Sequence, residues 1–214
     1  MKYADIRLAI CMPTRDTVHS ICAYSLYNLS QMLTEDNIDS KLFLSPGTLI
    51  ANQRHELVLA AKEWEATHVM FIDSDIEFSP HHVINLLDFD ESIVGAAYSK
   101  RVEPLITTAW HKIDDWNSHV NVMEQTDSHI QVECLALGFC LIEISVFEKL
   151  NLPWFILGYN KTVNQYTGED IEFFRQCNDA GIPIWLDIAT TCELGHLGTK
   201  SFKVAAGIEI IPAT

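Results

Sequence analysis

Two acidic residues follow an apolar run in the first half of the chain. The run is Val69 to Ile72, and Asp73 and Asp75 come directly after it. An unbroken apolar run of this length is typical of a strand buried on both faces of a parallel sheet. Ligands of open α/β sheets bind outside the carboxyl ends of such strands. Two like charges at that place repel each other and lose hydration, so a bound cation would compensate them. A pair of solvated turn carboxylates is the other interpretation.

The metal that these residues would bind follows from their chemistry. Alternate residues of a strand share a face, so Asp73 and Asp75 are predicted to point to the same side. One can ligate a cation while the other meets a ribose or a metal-bound water, and hard oxygen ligands suit Mg²⁺ or Mn²⁺. His196 stands in a glycine-flanked segment that lets the backbone approach a ligand closely. A lone histidine is more often a core or surface residue, but imidazole with two carboxylates favours Mn²⁺.

Glu169 and Asp170 open a predicted helix after Thr167 and Gly168. Acidic residues in a first turn complement the helix dipole, which is one reason for their presence. The other interpretation is a general base that accepts the proton of an acceptor hydroxyl. One residue can serve both purposes.

Several polar and basic residues are candidate contacts for a phosphorylated ligand. These candidates follow predicted strands or open a helix: Pro13, Thr14, Arg15, Asn52, Arg54, Ser74, Lys100 and Arg101. Arg54 is predicted in a first helical turn, which already favours anions, and its guanidinium could reach a diphosphate. A surface ion pair with Glu56 or Glu63 is the alternative.

Strands and helices are predicted to alternate along the chain. The predicted strands are Arg7 to Met12, Lys41 to Leu44, a strand ending at Asp73, Ile93 to Tyr98, Glu133 to Ile144 and Ile184 to Ile188; the predicted helices are Ser20 to Leu33, Asn52 to Glu65, Pro80 to Leu87, a short one after Ser145, and Thr167 to Ala180. This order predicts an α/β fold with a mostly parallel sheet and right-handed crossovers. The segment from Val102 to Gln131 is predicted as antiparallel strands and loops, and Glu193 to Phe202 is predicted as a loop that contains glycine. We expect a single domain over residues 1–214.

Composition limits the classes of partner. The 14 Lys and Arg against 29 Asp and Glu give a net charge of −15, which disfavours nucleic acid and anionic membranes as partners. No apolar stretch is long enough to span a bilayer. The amino terminus does not have the pattern of a signal peptide, and the six cysteines lack CxxC spacing. We expect a cytoplasmic protein with reduced thiols; the oligomeric state cannot be predicted.

The chain resembles the GT-A family of glycosyltransferases. Four features occur in the family's order over about residues 7 to 202: the turn at Pro13-Thr14-Arg15, the DxD motif at Asp73-Ser74-Asp75, the Gly168-Glu169-Asp170 turn, and His196. Within this family the sequence is similar to viral transferases that glycosylate a capsid protein. The resemblance implies a GT-A domain that binds a nucleotide sugar.

The same resemblance implies roles for individual residues. Asp75 would ligate the metal directly and His196 would complete the metal site. Asp170 would be the base, and Glu169 would help to hold the acceptor. The implied donor is a UDP-linked hexose or deoxyhexose, and the implied acceptor is a glycan hydroxyl. Trp154 is a candidate for stacking on an acceptor sugar, although such aromatic residues are more often core. Inversion is favoured because Asp170 offers a base and no separate nucleophile is evident.

Rival functions fit the motifs less well. A haloacid-type phosphatase would continue its DxD with Gly and Thr or Val, where this chain has Ile76-Glu77. A calcium loop needs further oxygen ligands at alternating positions and a turn glycine. A nucleotidyltransferase usually begins with a glycine-rich phosphate loop, and Met12 to Val18 contains no Gly. A sugar-nucleotide-binding pseudoenzyme is the remaining alternative.

Overall fold

The computed structural model describes residues 2–101, 106–115, 117–161 and 164–198. The strands are β1 (Arg7–Thr14), β2 (Asp39–Pro46), β3 (His68–Ile72), β4 (Ile76–Glu77), β5 (Ile93–Gly95), β6 (Ala109–Trp110), β7 (His129–Val132), β8 (Cys134–Leu135), β9 (Phe139–Glu143), β10 (Gly158–Asn160), β11 (Gln165–Thr167), β12 (Ile184–Asp187) and β13 (Gly195–His196). The helices are α1 (Ser20–Glu35), α2 (Ile50–Glu63), α3 (Pro80–Phe89), α4 (Val146–Lys149), α5 (Glu169–Asp179) and α6 (Ile188–Glu193), with a 3-10 turn at Val122–Glu124.

A central seven-stranded sheet has the order β2-β1-β3-β9-β5-β12-β7. Five of its strands run in one direction, while β9 and β7 run against their neighbours. This confirms the predicted α/β class with a mostly parallel sheet. The insertion of β9 between β3 and β5 was not predicted. It brings the backbone before Phe139 to the end of β3, where the Asp73 amide donates to the Gly138 carbonyl at 2.9 Å.

The sheet is covered on both faces, as its apolar strands require. In β1, Leu8 and Ile10 belong to one buried cluster, which also contains the inner residues of α1 and α3. Ala9 and Cys11 belong to the other, which contains those of α2 and α5. The strict alternation follows from the pleat of the strand. A sheet packed on both faces is a rigid platform, and it leaves its edges to carry polar side chains.

Several predicted boundaries are wrong for identifiable reasons. Helix α2 begins at Ile50 with Leu49 as its N-cap, because the Asn52 side chain donates to Glu56 one turn on instead of capping. Helix α6 was not predicted, and its first residue, Ile188, was predicted as the end of a strand. It begins because the Asp187 carboxylate accepts the Thr190 amide at 2.6 Å, an N-cap bond.

The short strands follow the prediction only in part. Strand β13, in a segment predicted as a loop to residue 202, pairs with β4, and residues 199–202 lie outside the described ranges. The predicted antiparallel character of the middle segment is confirmed where it is described, since β6 pairs antiparallel with β8. Among the helices of the described residues, none combines the length and apolarity needed to cross a bilayer.

Candidate active site

Some of the predicted site residues, among them Arg54, Asp73 and Glu169, come together beyond the carboxyl end of β3. Strand β3 ends at Ile72, so Asp73 and Asp75 lie in the turn that leads into β4 rather than on the strand itself. The strand-alternation argument for a shared face is therefore wrong, because it applies only within a strand. The two carboxylates have different partners, and these define two parts of the site.

The first part, which we call the inner cluster, consists of Arg54, Asp73 and Glu169. The guanidinium of Arg54 donates to Asp73 Oδ1 at 3.1 Å and to Glu169 Oε1 at 3.0 Å. A further donor of Arg54 reaches the Leu137 carbonyl at 3.3 Å. The Arg54 side chain is only 3% exposed, and its guanidinium lies over the Phe71 ring at 5.2 Å. These contacts join α2, the end of β3 and the first turn of α5.

The charge of Arg54 is secured by its two carboxylates. Burial alone lowers the pKa of the guanidinium, but Asp73 and Glu169 outweigh burial and raise the pKa above its usual range. A buried ion pair of this kind costs desolvation and stays stable only when every partner is present. The structure thus corrects the predicted surface partners, Glu56 and Glu63. It also leaves no exposed guanidinium at this position for the predicted contact with a diphosphate.

Asp170 lies beside the inner cluster and is partly exposed. Burial raises the pKa of its carboxyl to about 6, with the neighbouring charge of Glu169 as the next cause. The Ile171 amide donates to Asp170 Oδ1 at 2.8 Å and opposes part of this rise. A Cβ at position 168 would overlap Asp170 Oδ1, so Gly168 leaves room for this carboxylate. A carboxyl with a pKa near 6 is suited to exchange a proton near neutral pH.

Tyr98 and Gly138 complete the surroundings of Asp73, and sequence reasoning missed both. The buried Tyr98 hydroxyl donates to Asp73 Oδ2 at 3.4 Å. Burial, followed by the charge of Asp73, raises the pKa of this phenol well above its usual range, so it stays a donor. A Cβ at position 138 would lie 2.6 Å from Asp73 Oδ2 and closer still to the Tyr98 hydroxyl. The glycine in the apolar run around position 138 was the available signal.

The second part, which we call the outer pair, consists of Asp75 and His196. His196 Nε2 lies 3.9 Å from Asp75 Oδ2, and the antiparallel pairing of β4 with β13 brings them together. His196 Nδ1 donates to the Ser99 carbonyl at 2.8 Å, because a carbonyl only accepts. In the neutral ring Nε2 therefore carries the lone pair and faces Asp75. The exposed Arg101 guanidinium also binds Asp75 Oδ2.

The outer pair fits a divalent cation as a partial ligand set. The described residues contain no group of three or more His, Cys, Asp or Glu side chains placed to hold a metal. A carboxylate oxygen and an oriented imidazole nitrogen 3.9 Å apart can both lie within bonding distance of one cation. Remaining positions would go to water and to ligand phosphates, which is usual for Mg²⁺ sites. Asp73 is already held by Arg54 and Tyr98.

The predicted Pro13-Thr14-Arg15 turn lines a separate pocket of about 460 Å³. Gly47 and Gln53 complete much of its wall, and neither was predicted. The Gln53 amide donates to the Thr14 carbonyl at 2.6 Å and also to that of Ser45, which fixes the ends of β1 and β2 together. The Arg15 side chain is 80% exposed beside Asp16, so it is free to meet an anionic ligand.

The remaining predicted contact residues belong neither to the inner cluster nor to the outer pair. Asn52 is exposed, and Lys100 Nζ lies over the Trp110 ring at 5.0 Å. The Ser74 carbonyl accepts the His19 amide at 2.9 Å, which ties the turn to α1. Trp154 is buried and donates its indole N–H to the Phe147 carbonyl at 3.0 Å, so the expected acceptor contact is wrong and this residue is core.

Comparison with known proteins identifies similar structures but no matching sequence family. No protein-family model and no curated protein matches the sequence. The structure is similar to A197 from STIV, at 16% identity and a TM-score of 0.53 over 93% of this chain and 98% of that one. It is also similar to a mutant of Drosophila beta-1,4-galactosyltransferase 7 in complex with manganese, UDP-Gal and xylobiose, at 14% identity and a TM-score of 0.55 over 91% of this chain and 71% of that one.

A third similarity is weaker. A glycosyltransferase involved in the glycosylation of the major capsid of PBCV-1 is 10% identical, with a TM-score of 0.37 over 69% of this chain and 68% of that one. Overlap this low carries no argument for the closer resemblance to viral capsid transferases, which stays a prediction. The α/β sheet and the similarity to the galactosyltransferase together show that the chain has a GT-A-like glycosyltransferase fold.

Proposed function

We propose that the protein is a metal-dependent glycosyltransferase. It would move a hexose or deoxyhexose from a UDP-sugar to a hydroxyl of a glycan acceptor, with inversion at the anomeric carbon. One observation carries this proposal: Asp170, with a pKa raised to about 6, lies beside the inner cluster, which also contains a carboxylate of the turn that carries Asp75. Support also comes from the similar fold of a galactosyltransferase whose structure contains manganese and UDP-Gal.

The outer pair would hold the cation. Asp75 and His196 supply one oxygen and one oriented nitrogen, which favours Mn²⁺ over Mg²⁺. When bound, the cation supplies a positive charge that stabilises the departing diphosphate. Arg101, which binds Asp75 here, is free to turn to a donor phosphate once that carboxylate has another partner. The pocket beside Thr14 and Arg15 is the proposed place for the nucleoside.

Asp170 would receive the proton of the attacking hydroxyl. Its carboxylate must be ionised to do so, and ionisation becomes complete as the pH rises above about 6. Glu169 is held by Arg54 and is mostly buried, so its main role is to position the first turn of α5. Only the small exposed part of its carboxylate can accept a hydrogen bond from the acceptor.

Two other functions share part of this geometry. A pseudoenzyme would bind the same nucleotide sugar without turnover. A nucleotidyltransferase would transfer the nucleotide instead of the sugar. A base with a raised pKa beside the inner cluster favours transfer over binding alone. Cytoplasmic location and a capsid protein as the carrier of the acceptor stay predictions.

The experiment is a release assay with a panel of nucleotide sugars in Mn²⁺, Mg²⁺ or EDTA. We expect UDP release from one UDP-sugar in Mn²⁺, faster with a glycan acceptor, and none in EDTA. Release of pyrophosphate instead would indicate a nucleotidyltransferase. Tight binding without release, across all acceptors, would indicate a pseudoenzyme.

Asp170→Asn tests the base directly. We expect transfer to fall by about 10² to 10⁴ while donor binding is retained, because the amide cannot accept the proton. The wild-type rate should rise with pH through an apparent pKa of about 6. Asp179→Asn, at the exposed end of the same helix, is the matched control and should change neither the transfer rate nor its pH dependence. Full transfer by Asp170→Asn would remove this residue as the base.

A further inference from the structure

An exposed pair of tyrosines lies on a small hairpin just before the carboxylates of α5. Strands β10 and β11 pair antiparallel, with Tyr159 directly opposite Tyr166. Their ring centroids are 5.2 Å apart at 72°. Tyr159 is 48% exposed and Tyr166 is 78% exposed, whereas Trp154 and Phe155, nearby in the chain, are buried. Exposed aromatic residues that lie together, unlike ones scattered singly, are typical of a surface that binds a ligand or partner.

The other face of this hairpin is fixed to the helix that carries Asp170. Gly158 and Thr167 lie opposite each other and alternate with the tyrosines, so the Thr167 side chain points to the other face of the hairpin. The Thr167 hydroxyl donates to the Glu172 carboxylate, and a Cβ at position 158 would overlap both groups. Glu172 lies in the first turn of α5, two residues after Asp170. A molecule bound to the tyrosines is therefore held at a fixed place relative to the proposed base.

The chemistry of the hairpin favours an uncharged ligand. Its described residues include no acid that would attract a cation and only one base, Lys161. The rest of the chain, whose total net charge is −15, would repel an anion. Exposed Asn164 and Gln165 add amide groups beside the rings, and the Tyr159 hydroxyl donates to the Asn164 side-chain oxygen. Aromatic faces suit the apolar C–H faces of a sugar, while amides suit its hydroxyl groups. Rigid aromatic residues of this kind give contact area at little cost in conformational entropy.

We propose that Tyr159 and Tyr166 recognise the acceptor, by packing on a neutral pyranose of the acceptor glycan. This inference rests on the proposed function, because it assigns the substrate class of the same site. It also separates two tasks along one segment of chain. The hairpin binds the saccharide, and Asp170, just beyond its end, receives the proton of the hydroxyl that reacts.

The test is binding of the whole chain to an array of neutral, sialylated and sulfated glycans. We compare the wild type with Tyr159→Ala, Tyr166→Ala and the double variant. Tyr24→Ala, at an equally exposed tyrosine of α1, is the matched control. We expect binding to neutral glycans that falls about tenfold in each single variant and is unchanged in the control. Tyr166→Phe should retain binding, since the ring makes the contact.

Other outcomes would overturn the proposal. These are binding that the tyrosine variants do not change, binding to sialylated or sulfated glycans alone, and no glycan binding by a protein that binds its donor. Concentration-dependent self-association that is lost in the double variant would assign the tyrosines to a second copy of the chain instead. Circular dichroism and thermal unfolding must show that each variant folds like the wild type.

A kinetic measurement separates this inference from the proposed function. Donor hydrolysis without acceptor tests the transferase chemistry and should be the same in the wild type and in the tyrosine variants. With acceptor, KM for the glycan should rise about tenfold and kcat should stay within about twofold. If the wild type releases no UDP either alone or with any acceptor, the proposed function fails. If hydrolysis is present but KM for the glycan is unchanged in the variants, only the role of the tyrosines fails.

Discussion

Asp73 and Asp75 are two residues apart in one turn, yet their surroundings are opposite. Asp73 belongs to the inner cluster, where Arg54 is 3% exposed and Glu169 is 9% exposed. Asp75 belongs to the outer pair and is 37% exposed, with Arg101 as an exposed partner. Both aspartates bind an arginine. Only the arginine of Asp73 is enclosed and connected to three elements of the fold.

The difference shows which half of the motif can exchange its partner. Breaking a buried ion pair leaves a charge without compensation, so the inner cluster is coupled to folding. An exposed ion pair contributes little and is easily replaced by another ligand. The first aspartate therefore positions α2 and α5 against the sheet, while the second has an exposed partner that another cation can replace.

The largest expected effect comes from breaking the inner cluster. Arg54→Met keeps the length of the side chain but leaves Asp73 and Glu169 buried without their cation. We expect the free energy of unfolding to fall by about 3 to 5 kcal/mol. Denaturant unfolding measures this change. Arg15→Met, at an exposed arginine of the same edge, should change it by less than about 0.5 kcal/mol. A loss below 1 kcal/mol in Arg54→Met would mean that the inner cluster does not hold the fold.

Asp75→Ala should separate ligand binding from stability. We expect UDP to bind about 100-fold more weakly in Mn²⁺, with affinity in EDTA and the free energy of unfolding nearly unchanged. Isothermal titration calorimetry measures both affinities. Glu77→Ala removes an exposed carboxylate from the adjacent β4 and serves as the control. Metal-dependent affinity that survives in Asp75→Ala would refute the ligand role.

Gly138→Ala tests how closely Asp73 is enclosed. The added methyl group would collide with Asp73 Oδ2 and the Tyr98 hydroxyl, so we expect a loss of about 1 to 3 kcal/mol in the free energy of unfolding. Gly47→Ala, where the nearest atom would lie at an ordinary 3.4 Å, is the control for thermal unfolding. Equal melting temperatures of the two variants would show that the turn adapts easily.

The smallest effect is expected from Arg101. This guanidinium competes with a cation for Asp75, and an exposed ion pair contributes up to about 1 kcal/mol. Arg101→Ala should therefore strengthen Mn²⁺ binding in the absence of donor by up to about fivefold. Titration with Mn²⁺ followed by electron paramagnetic resonance measures this affinity. Weaker Mn²⁺ binding in the variant would mean that Arg101 supports the outer pair instead of blocking it.

Local sequence patterns were sufficient to predict most of the elements. Apolar runs such as Val69 to Ile72 identify the strands, because a buried strand needs apolar side chains on both faces. Pro80 after Ser79 correctly indicated the start of α3. The positions of the acidic motifs after strands and at helix starts were also readable, since ends of elements carry the polar side chains.

Only the tertiary structure decided which of these side chains meet. Glu169 is 115 residues from Arg54 in the chain, and no local pattern specifies that hydrogen bond. The direction of β9 is equally absent from its apolar sequence, because a strand buried on both faces looks the same in a parallel or an antiparallel ladder. Hydrophobic periodicity specifies elements over short distances. The partner of a long buried side chain depends on how distant elements pack. That packing gave Asp73 a buried arginine partner and left Asp75 exposed.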